Sequence, residues 1–92
     1  MIKNFKDKNT KKVFEGESVI KWASIRRQLE RRLQILDSAT SLDDLKNLPS
    51  NRFEFLLGDR KGQCSIRVNK QWRICFNWID DEAHNVEMID YH

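Results

Sequence analysis

The hydrophobic positions in the first half of the chain recur at the period of an α-helix. The apolar stripe has spacings of 3, 4, 4 and 3 residues and comprises Trp22, Ile25, Leu29, Leu33 and Leu36. This period predicts one amphipathic helix with arginines on its other side. Ser18 or Ser24 is expected to cap it. Residues 7–17 predict a shorter helix that ends at Gly16.

After Pro49 the pattern changes to the alternation that is typical of β-strands. Apolar and polar residues alternate in four stretches, 52–57, 64–68, 72–78 and 86–92, which predict an antiparallel meander. Residues 1–5 predict a further short strand, and Ser41 is expected to cap a single turn. Residues 79–85 are expected to form a turn that carries His84 on the surface. The sequence therefore predicts an α+β fold, with a helical layer on one face of the sheet.

Length and composition limit the classes of protein that the chain can represent. Its 92 residues predict a single domain, 1–92. It has no apolar run near 18 residues and no apolar leader at its start, which predicts a cytoplasmic protein without a membrane partner. Because Cys64 and Cys75 lack CxxC spacing, we expect two free thiols and neither a disulfide nor a zinc site.

The charge is unevenly distributed along the chain. The net charge is +3, but residues 1–36 hold ten lysines and arginines against four acids, and residues 52–73 hold six against two. Residues 74–92 hold five acids and no lysine or arginine. A body with a local positive field suits a polyanion or an acidic protein as its partner.

One face of the predicted sheet carries arginines and a tyrosine rather than core residues. Arg67, Arg73 and Tyr91 fall on the face opposite the apolar strand positions, and the last residues are Asp90, Tyr91 and His92. Cleaving RNA without a metal needs a base for the 2′-hydroxyl, cations for the phosphate and an acid for the departing 5′-oxygen. Histidine suits either proton-transfer role, because its ordinary pKa is about 6.5. The planar guanidinium of arginine can bind two phosphate oxygens at once. The residues therefore indicate a ribonuclease or a phosphate-binding surface.

Three stretches then resemble a known family. Residues 5–17, "FKDKNTKKVFEGE", residues 57–78, "LGDRKGQCSIRVNKQWRICFNW", and residues 86–92, "VEMIDYH", resemble the HigB toxins of the RelE/ParE superfamily. The resemblance implies two N-terminal helices packed on one face of a curved antiparallel sheet. It implies a metal-independent endoribonuclease, without a cofactor, that cuts mRNA in the ribosomal A site. It also implies a helix-turn-helix antitoxin of the HigA type, through which the pair contacts operator DNA.

The resemblance carries over to individual residues of this chain. It implies a catalytic role for Asp90, Tyr91 and His92, with Arg73 as the cation that binds the phosphate; Arg67 is a further candidate. Some members have a histidine near the end of the first meander strand, where this chain offers Glu54. Either Glu54 takes that acid–base role or the terminal residues suffice. If His92 ends the chain, its α-carboxylate favours the charged imidazole.

Two rival functions and a docking surface complete the expectations. A ParE-like poison of DNA gyrase shares the fold without needing proton-transfer residues, and a non-catalytic RNA- or protein-binding module needs only the positive face. Seven basic residues are candidates for docking on ribosomal RNA, namely Lys11, Lys12, Arg26, Arg27, Arg31, Arg60 and Lys61. The sequence leaves open the codon preference and the division of acid and base roles.

Overall fold

The computed structural model describes residues 1–91, and His92 lies outside the described residues. The helices are α1 (Lys8–Phe14), α2 (Arg26–Ser38) and α3 (Leu42–Lys46). The strands are β1 (Glu54–Phe55), β2 (Cys64–Arg67), β3 (Trp72–Ile79) and β4 (Glu82–Asp90), which pair antiparallel in that order into one open sheet. The predicted α+β fold is therefore confirmed. Among residues 1–91, no helix has the length and apolarity that crossing a membrane requires.

Local capping explains the ends of the two shorter helices. The Asp7 side chain accepts a hydrogen bond from the backbone N–H of Asn9 and begins α1. Gly16 follows α1 with a φ of +91°, a conformation that glycine adopts without a steric cost. The Ser41 side chain accepts from the backbone N–H of Asp44 and caps α3, as predicted.

The long amphipathic segment is two helices rather than one. Residues Ile20–Ile25 form a 3₁₀ segment, and α2 begins only at Arg26. The spacing of three between Trp22 and Ile25 fits the three-residue turn of a 3₁₀ helix, so both side chains still reach the core side. Neither predicted serine caps a helix; the Ser18 hydroxyl instead accepts from the Arg26 guanidinium.

The strands differ from the prediction at their ends. β1 has two residues, because Arg52 before it is left-handed, with a φ of 43°. β4 begins at Glu82, since Asp80 and Asp81 both have positive φ and close a tight hairpin by themselves. Residues 2–5 form only isolated parallel bridges to β4 and no separate strand.

The core lies between α2 and one face of the sheet, as the alternation predicted. Its fully buried side chains include Leu29, Leu33 and Leu36 of α2 and Ile66, Ile74, Phe76 and Val86 of the strands. Trp22 packs edge-on against Trp72 at one end of this layer. The opposite face of the sheet is left for polar residues.

Asn51 fastens the segment that leads into β1. Its amide donates to the Leu45 carbonyl at 3.0 Å and its oxygen accepts from the Arg32 guanidinium at 2.7 Å, with the side chain fully buried. We expect Asn51→Ala to lower the free energy of unfolding by about 1–3 kcal/mol, because the buried Leu45 carbonyl and the half-buried Arg32 guanidinium each lose a hydrogen bond. Thermal or urea unfolding measures this. Asn47→Ala, at an exposed helix end, is the control, and equal stability of the two variants would contradict the prediction.

Candidate active site

The polar face of the sheet is built from cross-strand rows. In one row Arg67 of β2 lies opposite Arg73 of β3, which lies opposite Ile89 of β4. The next row crosses all four strands, from β1 to β4, in the order Glu54, Ser65, Cys75 and Glu87. Because side chains alternate along each strand, these rows share the face that points away from the helices.

Arg73 lies at the centre of this face and is almost fully buried, with 5% of the residue exposed. Its Nε donates to the Ser65 hydroxyl at 2.8 Å, and its Nη2 donates to the carbonyls of Ser65 and Arg52. Its guanidinium carbon lies 5.4 Å from the centroid of the Tyr91 ring. Arg73 therefore holds the segment before β1 against the sheet and supports Tyr91 by a cation–π contact.

Arg67 is the more accessible of the two arginines. It is half-buried, and its Nε donates to the Asn69 carbonyl at 3.1 Å. Like charges directly opposite each other on neighbouring strands repel. The Arg67 and Arg73 pair consequently concentrates positive potential at one point of the sheet, where an anion is favoured.

Tyr91 and Glu54 meet beside this cationic pair. The exposed Tyr91 hydroxyl donates to the Glu54 carboxylate, with 3.4 Å between the two oxygens. The contact joins β1 at one edge of the sheet to the residue that follows β4. Tyrosine and a carboxylate in hydrogen-bonding contact can exchange a proton with a bound substrate.

Asp90 is not part of that contact. It lies opposite Trp72, at a position of β4 that alternates onto the core side of the sheet. It accepts a hydrogen bond from the Gln71 side chain at 3.1 Å. The structure therefore gathers Arg67, Arg73, Glu54 and Tyr91, whereas Asp90 sits on the neighbouring rim. The prediction for His92 concerns a residue outside the described part of the chain.

Two open clefts border the site and share Arg60. One, of about 460 Å³, is lined by the consecutive residues 54–57 and by Arg60, Ile89 and Tyr91. The other, of about 540 Å³, is lined by Lys6, Asp59, Arg60, Lys61, Gln63 and Asn77. Between them Glu87 pairs with Arg60 at 3.5 Å and with Lys6 at 3.4 Å.

Sequence reasoning missed Lys6 and Glu87. Strand alternation could have identified Glu87, because it lies four residues before Tyr91 and therefore shares its face of the sheet. The position of Lys6 depends on the bridges between residues 2–5 and β4, which no local pattern reveals.

The two cysteines of the sheet offer no reactive thiol. Both cysteines are free, as predicted. Burial raises the pKa of the Cys75 thiol to about 11 and also raises the pKa of Cys64, so both stay protonated and unreactive near neutral pH. His84 is half-buried in β4 opposite Asn77, not in a surface turn as predicted.

The candidate docking residues separate into two groups. Lys11, Lys12, Arg27, Arg31 and Lys61 are exposed on the helices and the loop before β2. Arg26 is bound to Glu30 at 2.6 Å and to the Gly16 carbonyl, and Arg60 is bound to Glu87 and Gln63. The first group has the freer charges for an external polyanion.

Comparison with known proteins gives a match over almost the whole chain. The family model of the RelE-like toxin of type II toxin–antitoxin system HigB matches residues 3–92. Toxin HigB-1 of Vibrio cholerae serotype O1 is 46% identical over 94 residues, which cover 100% of this chain and 98% of the relative. Endoribonuclease HigB of Proteus vulgaris is 39% identical over 93 residues, which cover 100% of both chains.

Proposed function

Because this chain belongs to the HigB-like family of RelE-like toxins of type II toxin–antitoxin systems, we propose that it arrests growth by cutting mRNA on the ribosome. It is a toxin of that class and an endoribonuclease, the activity for which its Proteus vulgaris relative is named. The finer points, namely cleavage in the ribosomal A site, action in the cytoplasm and the residues that carry the reaction, are the content of the proposal.

The observation that carries the proposal is the contact chain from Arg73 through Tyr91 to Glu54. In the proposed reaction the 2′-oxygen of a ribose loses its proton, forms a bond to the adjacent phosphorus and expels the 5′-oxygen, which gains a proton. Arg73 and Arg67 stabilise the charge that builds on the phosphate. Tyr91 or His92 transfers a proton, with Glu54 as a second acceptor and Asp90 at the rim.

The exposed basic residues support docking on ribosomal RNA. Phosphate contacts position a protein without reading sequence, and each one adds about one unit to the slope of log affinity against log salt. We expect the double variant Arg27→Ala/Arg31→Ala to bind ribosomes more weakly and to flatten this slope by about two units. Binding measured at several salt concentrations tests the expectation. Arg26→Ala is the control, since Arg26 is committed to Glu30 and Gly16, and an unchanged slope in the double variant would contradict the prediction.

A type II toxin has an antitoxin partner, and we propose that this one is a helix-turn-helix protein of the HigA type. In the proposal the complex silences the toxin and contacts operator DNA only through the antitoxin. The basic surface that suits RNA would also favour an acidic surface on this partner.

One experiment distinguishes the proposed function from its rivals. Purified toxin is added to ribosomes programmed with a defined mRNA, and primer extension maps any cut; a gyrase supercoiling assay runs in parallel. We expect cuts within the A-site codon that require the ribosome, and no effect on gyrase. Gyrase inhibition without RNA cleavage would support a ParE-like poison, and neither effect would support a non-catalytic binding module.

A further inference from the structure

Arg60 lines both clefts of the polar face and lies in the loop between β1 and β2. In the cleft beside Tyr91 it shares the wall with Glu54 and Ile89, next to the arginines proposed to bind the scissile phosphate. Its side chain is half-buried, and its Nη1 donates to the Gln63 side-chain oxygen at 3.1 Å. The guanidinium is therefore held in one place, although the loop that carries it is largely exposed.

Glu87 holds the same guanidinium from the side of β4. Its Oε2 lies 3.5 Å from the Arg60 Nη1 and 3.4 Å from the Lys6 Nζ, and the Glu87 side chain is only 14% exposed. Within the described residues this buried oxygen accepts no hydrogen bond. A buried ion pair is weak evidence for a gain in stability, because the desolvation of the carboxylate opposes the attraction. The position of Glu87 therefore points to a role in arranging the two cations.

The rows of the sheet set the distance between Arg60 and the proposed phosphate site. Glu87 precedes Ile89, the cross-strand partner of Arg73, by two residues, so the two rows are about 7 Å apart. One nucleotide of an extended RNA strand spans a similar distance. Within residues 1–91 the polar contacts of the Arg60 side chain both use Nη1, which leaves the Nε and Nη2 N–H groups for an external acceptor. The RNA phosphate adjacent to the scissile one is an acceptor that suits a guanidinium.

We propose that Glu87 is a positioning residue, which holds Arg60 where its guanidinium binds the RNA phosphate next to the scissile one. The role rests on the proposed ribonuclease function and adds to it a residue that acts through Arg60 and not on the reacting atoms. Lys6, whose backbone N–H donates to the Val86 carbonyl at 3.0 Å, fixes the carboxylate from the other side.

The sign of the effect of Glu87→Gln separates positioning from simple charge. The variant keeps the length of the side chain and removes its negative charge. If Glu87 only weakened the positive field of the face, its loss would tighten RNA binding. If Glu87 positions Arg60, we expect KM for programmed ribosomes to rise about 10-fold with kcat unchanged, because a contact made equally in the ground state and the transition state is lost. We also expect the slope of log affinity against log salt to flatten by about one unit, the share of one phosphate contact.

Two further changes complete the test. Asp59→Asn removes the same charge from an exposed residue of the same loop, which lines the cleft beside Lys6, and its KM is expected to be no higher than that of the parent. Arg60→Ala is expected to raise KM as much as Glu87→Gln does. The double variant Arg60→Ala/Glu87→Gln is expected to raise KM no further, because both changes remove the same phosphate contact.

The outcomes separate the role of Glu87 from the function it serves. A KM of Glu87→Gln at or below that of the parent would overturn the positioning role and leave the ribonuclease intact. A further rise in KM from Arg60→Ala to the double variant would also overturn it, since Glu87 would then act independently of Arg60. Absence of RNA cleavage by the parent would overturn the proposed function and the positioning role with it.

Circular dichroism and melting temperatures identify the folded variants. If Glu87→Gln does not fold, Glu87→Asp takes its place, because aspartate keeps the charge but reaches less far. It is expected to raise KM in the same way, and a KM equal to that of the parent would overturn the positioning role.

Discussion

Replacement of Arg73 by alanine is expected to lower the rate of ribosome-dependent mRNA cleavage by about 100- to 1000-fold, the usual cost of losing a preorganised charge donor. The side chain lies at the centre of the polar face, next to Arg67 and beneath the Tyr91 ring. Its removal takes away a charge near the proposed phosphate and also the support of Tyr91. Single-turnover cleavage on programmed ribosomes measures the effect, and growth arrest on induction is expected to disappear.

The buried position of Arg73 requires a control for folding. Arg73 binds the Ser65 hydroxyl and the Arg52 carbonyl, so alanine leaves both without a partner at a cost of about 1–3 kcal/mol each. Arg73→Lys keeps the charge but not the planar fork, and is expected to recover part of the stability and little of the rate. Circular dichroism and antitoxin binding identify folded protein. Cleavage within a few-fold of the parent by folded Arg73→Ala would remove Arg73 from the mechanism.

His92→Gln is expected to lower the cleavage rate by about 100- to 10,000-fold, the range in which general acid–base catalysis contributes. Glutamine keeps a hydrogen-bonding side chain of similar length but does not titrate. The rate of the parent is expected to change with pH as the imidazole titrates, and the variant is expected to lose that dependence. A pH–rate profile under single-turnover conditions measures both.

Two companion variants assign the proton transfer. Deletion of His92 tests the same residue but also leaves Tyr91 without the backbone of residue 92. Its result is therefore interpreted together with that of His92→Gln. Tyr91→Phe removes the hydroxyl that contacts Glu54 and keeps the ring over Arg73. If the deletion and His92→Gln both cleave within a few-fold of the parent, His92 is not catalytic. Tyr91, Asp90 or Glu54 must then carry the proton chemistry.

The regular parts of the fold could be predicted because one local pattern controls each of them. The stripe from Trp22 to Leu36 specified which side of the helical segment is buried. The same stripe could not specify where 3₁₀ becomes α-helix, because a spacing of three suits both geometries. The start of β4 was missed because acidic residues at Asp80 and Asp81 indicate a turn, but the length of that turn depends on their backbone angles.

The sequence predicted which face of the sheet holds the candidate site, but it did not predict the contacts that the site residues make. Alternation placed Arg73 and Tyr91 on the side away from the core, and the register agrees. It gave no sign that Arg73 is buried, because the carbonyl that covers it belongs to Arg52, 21 residues earlier. Adjacency in the sequence grouped Asp90 with Tyr91, although neighbouring residues of a strand point to opposite faces.

The bridges between residues 2–5 and β4 affect the order in which the chain folds. The Asn85 N–H donates to the Asn4 side chain across 81 residues of sequence, and the Met88 N–H donates to Thr10 across 78. Contacts between such distant residues carry the largest loop-closure entropy, whereas the β3–β4 hairpin closes locally. We therefore expect the strand that leads to Tyr91 to gain its β3 neighbour early and its N-terminal neighbour late. Any folding intermediate that lacks the second contact has a frayed outer edge on the strand that carries the site.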